Sequence, residues 1–174
     1  HIRKVITILD KEGEDNSEIM ISYDKDSKVS IKEIVIYDSG GKKVRSIKQS
    51  EIDDLPAIGS SELYTDSRIK YYDVNNASYP YTLAYEYEVA KKNIISYGIW
   101  RHMTGYNVSV MSSVFKISFP RGLPVNIREV NFGESTPEVT GNESGAAWEV
   151  KNLRAIEEEP MDVSLAERVP SVYL

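Results

Sequence analysis

Thr65–Val89, TDSRIKYYDVNNASYPYTLAYEYEV, is the stretch whose reading decides the fold. Asn75 to Pro80 is small, polar and turn-like, and it separates two runs in which apolar and charged residues alternate. Folded back as a long antiparallel hairpin with Val74 and Thr82 innermost, the two runs oppose Arg68 to Glu88 and Lys70 to Glu86. On the other face the same register opposes Ile69 to Tyr87 and Tyr71 to Tyr85. A slip of one residue would exchange the faces, and opposed charges or aromatics contribute roughly 0.2–1 kcal/mol per pair. The apolar face, with Leu83 and Val89 added, then requires a second layer to cover it.

The rest of the chain repeats this grammar. Short runs rich in β-branched residues at Arg3–Leu9, Glu18–Tyr23, Val29–Tyr37 and Lys42–Ile47 are separated by polar or glycine-containing turns, among them Asp38-Ser39-Gly40-Gly41. Gln49–Leu55 reads as a short helical turn capped by Ser50 and ended by Pro56, with Asp53 and Asp54 as helix N-terminal acids. Further strands are expected at Ile94–Val110, bent at Gly98 and Gly105, and at Ser112–Phe119 and Val125–Phe132 around a Pro120-Arg121-Gly122 hairpin turn. Glu138–Thr140 and Ala146–Asn152, which holds Trp148, follow as strands on either side of a turn at Gly141–Gly145. Asp162–Arg168 reads as loop and Val169–Leu174 as a short edge or terminal strand. Turn signals every eight to twelve residues or so, with no sustained helical periodicity, predict an all-β antiparallel sandwich.

Composition narrows the function classes. The 174 residues carry a net charge of −6 with basic and acidic side chains interspersed, which argues against a nucleic-acid partner. There is no cysteine, so disulfides, thiolate metal sites and cysteine nucleophiles are excluded within this sequence. No apolar run reaches the roughly 20 residues of a membrane span. The sequence begins at His1 and enters a strand pattern at once, so an upstream segment is expected to be missing.

Candidate chemistry is sparse. His102 has neither a second histidine nor a cysteine placed to complete a catalytic or metal-binding set. Glu157, Glu158 and Glu159 point to alternate sides of an extended segment and do not converge. Asp24-Lys25-Asp26-Ser27 starts like a calcium loop, but its twelfth position is Val35 rather than glutamate, and it reads as a solvated turn. No metal and no cofactor is expected. Six of twelve tyrosines lie between Tyr71 and Tyr87. The hairpin register leaves Tyr72, Tyr79 and Tyr81 outside, and with Trp100 the first two are the candidate ligand-binding aromatics. Both tryptophans read first as core or interface anchors.

Several strings fall in an order that resembles one family: Thr65–Lys70, Tyr85-Glu86-Tyr87, Trp148 with Lys151-Asn152-Leu153, Ala155-Ile156 and Glu159-Pro160, together with the Ser39–Lys42 hairpin. They resemble the domain of unknown function that precedes transglutaminase-like domains in exported bacterial proteins, notably of the Bacteroides group. The resemblance implies a single large, saddle-like sandwich over 1–174, similar to the N-terminal β-domain of zinc aminopeptidases and lacking one or two native N-terminal strands. It also implies a periplasmic or otherwise exported setting. Residues 155–174 would then lead towards a downstream transglutaminase-like domain, with Ile156, Glu157, Glu158, Glu159 and Pro160 facing it. The expected function is that of a non-catalytic accessory domain packing on or positioning its neighbour. The alternative is a module binding a carbohydrate or cell-envelope polymer through exposed tyrosines. Asn75–Pro80 departs from the glycine-containing turn usual in the family, and a proline common a little downstream of Trp100 is missing.

Overall fold

β-branched and aromatic residues at every second position bury one face of a strand and leave the other to solvent, and this pattern builds two units in the computed structural model. The structure describes residues 1–57, 66–74, 78–92, 98–132, 137–159 and 163–174. The chain divides at Ile94/Ile95 into two compact units. The sequence reading takes 1–174 as one sandwich; in the structure each unit has its own pair of antiparallel sheets.

The first unit contains β1 (Ile2–Ile8), β2 (Ile19–Tyr23), β3 (Ser27–Tyr37), β4 (Lys43–Ser46), β5 (Asp53–Pro56), β6 (Arg68–Tyr72) and β7 (Tyr81–Lys91). One sheet runs β1-β7-β3-β4 and the other β2-β6-β5. Ile8, Ile34, Ile36, Tyr81, Leu83 and Tyr85 from the first meet Ile19, Ile21 and Tyr72 from the second in one buried cluster. The Asp38–Lys42 turn forms as its glycines predict: Gly41 takes a φ of 78°, and Asp38 Oδ1 accepts from the backbone N–H of Gly40 and Lys42.

The Thr65–Val89 hairpin does not form. β6 pairs with β2 and β5, whereas β7 pairs with β1 and β3, so the two strands lie in different sheets. The charges that suggested the register find other partners. Arg68 and Lys70 both reach Asp54 on β5, Glu86 meets His1, and Glu88 meets Lys32. Sign complementarity holds between any pair of oppositely charged strands and does not select one partner. The face of β7 holding Leu83 and Tyr85 is buried as expected, but on β6 the buried ring is Tyr72. Two further expectations change. Asp10–Ser17, expected as loop, contains a 3₁₀ helix at Lys11–Asn16 capped by Asp10. The helical turn after Ile47 is only Gln49–Glu51, capped at Lys48 rather than Ser50, and Asp53–Pro56 is strand β5. Pro56 is tolerated there because β5 is an edge.

The second unit contains β8 (Ile99–Arg101), β9 (Val110–Ser118), β10 (Arg128–Val130), β11 (Glu138–Asn142), β12 (Gly145–Leu153), the one-turn α1 (Leu165–Arg168) and β13 (Ser171–Tyr173). Its sheets run β11-β12-β9 and β10-β13-β8. The β11–β12 hairpin matches the sequence reading. The Pro120–Leu123 turn, with Gly122 at φ 84°, does not close a hairpin: β9 pairs with β12 and β10 with β13, in the other sheet. β13 is the short terminal strand that the sequence offers, but it is central in its sheet rather than an edge: it pairs with both β10 and β8, and Val172 is fully buried. Leu165–Arg168 is helical rather than loop, in keeping with the helix-forming residues that follow Ser164.

Trp148, Phe115 and Trp100 stack at centroid distances of 5.6 and 5.9 Å, and His102 tilts against Trp100 at 5.9 Å. This aromatic column, with Val150, Val169 and Val172, is the core of the second unit.

Candidate functional site

In the first unit the densest polar geometry is at Asp54. Its carboxylate accepts from Tyr23 Oη at 2.7 Å, Arg68 Nε at 2.8 Å and Lys70 Nζ at 2.7 Å. The bonds from Lys70 and Tyr23, and then from Arg68, hold the carboxyl well below the usual aspartate range. The group is ionised and held by three donors, so it fixes three strands in register, and its lowered pKa makes it a weak acceptor for a substrate proton. Sequence reasoning missed it because Asp53-Asp54 reads as a helix start.

His102 in the second unit is 8% exposed. Burial lowers its pKa below the ordinary histidine range, and a hydrogen bond to the Pro170 backbone acts the other way. Proline has only a carbonyl to offer, and Nδ1 is buried with no hydrogen-bond partner among the described residues, so the ring is neutral with its proton on Nε2. It lies against Trp100, and among the described residues no three His, Asp or Glu side chains converge on a metal site.

The candidate binding aromatics part company. Tyr72 is buried in the first core, and Tyr81 is 1% exposed, so neither offers a ring face to a ligand. The expectation that both stand outside fails. Tyr72 is inside because β6 turns its Tyr72 face, not its Ile69–Tyr71 face, to the interior, and Tyr81 is inside because it shares the buried face of β7 with Leu83 and Tyr85. Tyr79 is half-buried, tilts against Tyr81 and donates its hydroxyl to Glu14, which raises its pKa to about 12. Trp100, in the second unit, donates Nε1–H to Ser113 Oγ at 3.1 Å while its ring stacks on Phe115. Each therefore has a structural partner.

In the C-terminal segment, Ile156 is half-buried and its carbonyl accepts from the Asn107 backbone N–H at 2.8 Å. Glu157, Glu158 and Glu159 are exposed. Pro160 lies outside the described residues. The concavity at Arg121–Pro124 is open and shallow, with the Arg121–Glu143 ion pair at its lip. Several apolar side chains of the second unit stand in solvent, above all Met111 at 84% exposure, with Val163, Val139 and Val114 about half exposed.

The two packs of antiparallel sheets define a β-sandwich class of domain. The chain belongs to the family described as "Domain of Unknown Function with solved-structure structure (DUF3857)", which matches residues 1–157. A solved structure from Parabacteroides distasonis, of a protein proposed to be a protease, shares the fold with a TM-score of 0.78 at 14% identity. The match covers 98% of this chain and 35% of that one, so the chain spans about a third of its neighbour's length. No curated protein matches it.

Proposed function

We propose that this chain is a non-catalytic accessory domain of an exported bacterial protein, packing on or positioning a transglutaminase-like or peptidase-like domain that follows it. The observation that carries the reading is the fold match: nearly the whole chain recurs as about a third of a longer protein that is itself a proposed protease. The C-terminal segment supports it. Glu157–Glu159 lie exposed immediately after a backbone tether at Ile156, so their charges are available to a neighbour. Interfaces between domains of one chain are modest and rather polar, which suits such a run.

The test is to reverse all three charges, Glu157→Lys, Glu158→Lys and Glu159→Lys. In the isolated chain the stability change should stay within about 0.5 kcal/mol per residue. In the longer polypeptide the same change should loosen the downstream domain, read as increased proteolysis of the junction. A large stability loss in the isolated chain would make the run structural and overturn its interdomain role. The isolated chain should also show no peptidase, transglutaminase or glycosidase turnover.

A further inference from the structure

Strand edges carry unpaired backbone N–H and C=O groups, and proteins guard them with charge, proline or brevity. Most edges here are guarded. β1 carries Arg3 and Lys4, β4 carries Lys43 and Arg45, and β5 carries two aspartates and Pro56. β2 and β11 are five residues long, β8 and β10 only three. β9, VMSSVFKIS, is different: nine residues, one charge and no proline. Among the described residues it pairs with β12 alone.

The ladder shows which groups of β9 are free. Phe119 N–H donates to the Ser144 carbonyl just past the Ser118–Gly145 pair. Backbone groups alternate sides along a strand, so the odd-numbered residues of β9 bond to β12. Val110, Ser112, Val114, Lys116 and Ser118 therefore turn their N–H and C=O groups outward.

We propose that β9 is a docking edge for a second copy of this chain, joined antiparallel about a two-fold axis at Val114. That register opposes Val114 to its own mate, Ser112 to Lys116 of the second copy, and Val110 to Ser118 of the second copy. It uses all nine residues and brings no like charges opposite one another. A register centred on Lys116 would oppose two ammonium groups and shorten the overlap. On the other face it sets Met111, 84% exposed, beside Ile117 of the second copy. The product is one continuous sheet, β11-β12-β9-β9-β12-β11. This proposal is independent of the accessory reading.

The area of a single strand pair is at the small end for specific association, so the dimer should be weak, half-formed at roughly 10–1000 µM. Sedimentation of the chain over that range should show a reversible monomer–dimer equilibrium. Val114→Cys should cross-link to its mate on oxidation, whereas Lys116→Cys should not. Val114→Pro removes an N–H that β12 does not use, so the circular dichroism should be retained and the dimer lost. Val114→Lys, an exposed change that spares the backbone, should weaken association at least tenfold if the proline variant fails to fold. A chain that stays monomeric at the highest concentration, or a dimer that survives both Val114→Pro and Val114→Lys, overturns the proposal. Capture of an unrelated extended peptide by a chain that does not self-associate would overturn it in favour of a partner strand.

Discussion

The two units are stabilised by different materials. The first is filled mostly by aliphatic side chains, with Tyr72, Tyr81 and Tyr85 among them: Leu83, at 0% exposure, sits among Ile8, Ile19, Ile34 and Tyr81. The second is built on one aromatic column, and polar groups are drawn into it. Trp148 Nε1–H donates to Glu129 Oε1 at 2.7 Å, Trp100 bonds Ser113, and His102 is buried beside them. Aliphatic packing is distributed and non-directional, whereas an aromatic column concentrates stability in a few residues with specific polar partners. The second unit should therefore be the more sensitive to single substitutions and to pH.

The largest expected effect is a direct contest between the cores. Trp148→Ala should cost about 3–5 kcal/mol and Leu83→Ala about 2–5 kcal/mol, the spread reflecting how far each site collapses. Chemical denaturation with amide exchange in each unit would separate them. Trp148→Phe sharpens the contest, since it keeps a ring but removes the Nε1–H that Glu129 accepts. If it proves as mild as a conservative swap in an aliphatic core, the polar anchoring of the column is unimportant and the contrast between the units weakens.

Next comes a backbone contact particular to the second unit. A Cβ placed on Gly145 would lie 2.5 Å from the Ile117 carbonyl oxygen, and that obstacle is main chain in the neighbouring strand. Gly145→Ala should cost about 1–3 kcal/mol through a shift of β9 against β12. Gly41→Ala, in the first unit, meets open space but a φ of 78°, so it should cost less and through strain alone. Equal costs measured by urea unfolding would refute the steric argument.

What was legible in the sequence follows the same division. Period-two alternation on β3 and β7 places Ile34, Ile36, Leu83 and Tyr85 correctly, because alternation reports which face is buried. It does not report which sheet a strand joins, and so the β6–β7 hairpin was expected where the chain instead crosses from one sheet to the other. The Asp54 hub, with donors from Tyr23, Arg68 and Lys70, was hidden for the same reason: it is assembled by the pairing of β2, β5 and β6. Tyr72 faces the core because β6 pairs with β2 and β5 rather than β7, and Trp100, offered both as an anchor and as a ligand-binding aromatic, takes its partners, Phe115 and Ser113, from another sheet. Turn chemistry was local, and so was readable at Gly41 and across Gly141–Gly145.

A smaller effect separates the units by pH. The His102 pKa is lowered in the folded state by burial. The unfolded chain then binds the proton more readily, so the stability of the second unit is full above the ordinary histidine range near pH 6.5 and falls as the solution is acidified below it. One proton limits the slope to about 1.4 kcal/mol per pH unit. His102→Gln should flatten the profile between about pH 7 and 5, and a slope unchanged by it would remove His102 as the cause. Asp54 has a depressed value too, so its contribution to the first unit is lost only in acid below about pH 4.

The smallest effect bears on the strand pairing itself. Lys32 Nζ and Glu88 Oε2 are 3.0 Å apart with both side chains about half exposed, which places them among surface ion pairs of roughly 0.2–1 kcal/mol. A double-mutant cycle between Lys32 and Glu88 should return a coupling in that range, weakened by salt. The cycle between Arg68 and Glu88, which the abandoned hairpin would have made neighbours, should return none, because Arg68 is committed to Asp54 on another sheet. The two cycles share Glu88, so a difference between them cannot come from that residue's own effect on stability. Coupling to Arg68 in place of Lys32 would restore the hairpin and dissolve the two-sheet core built on Tyr72 and Leu83.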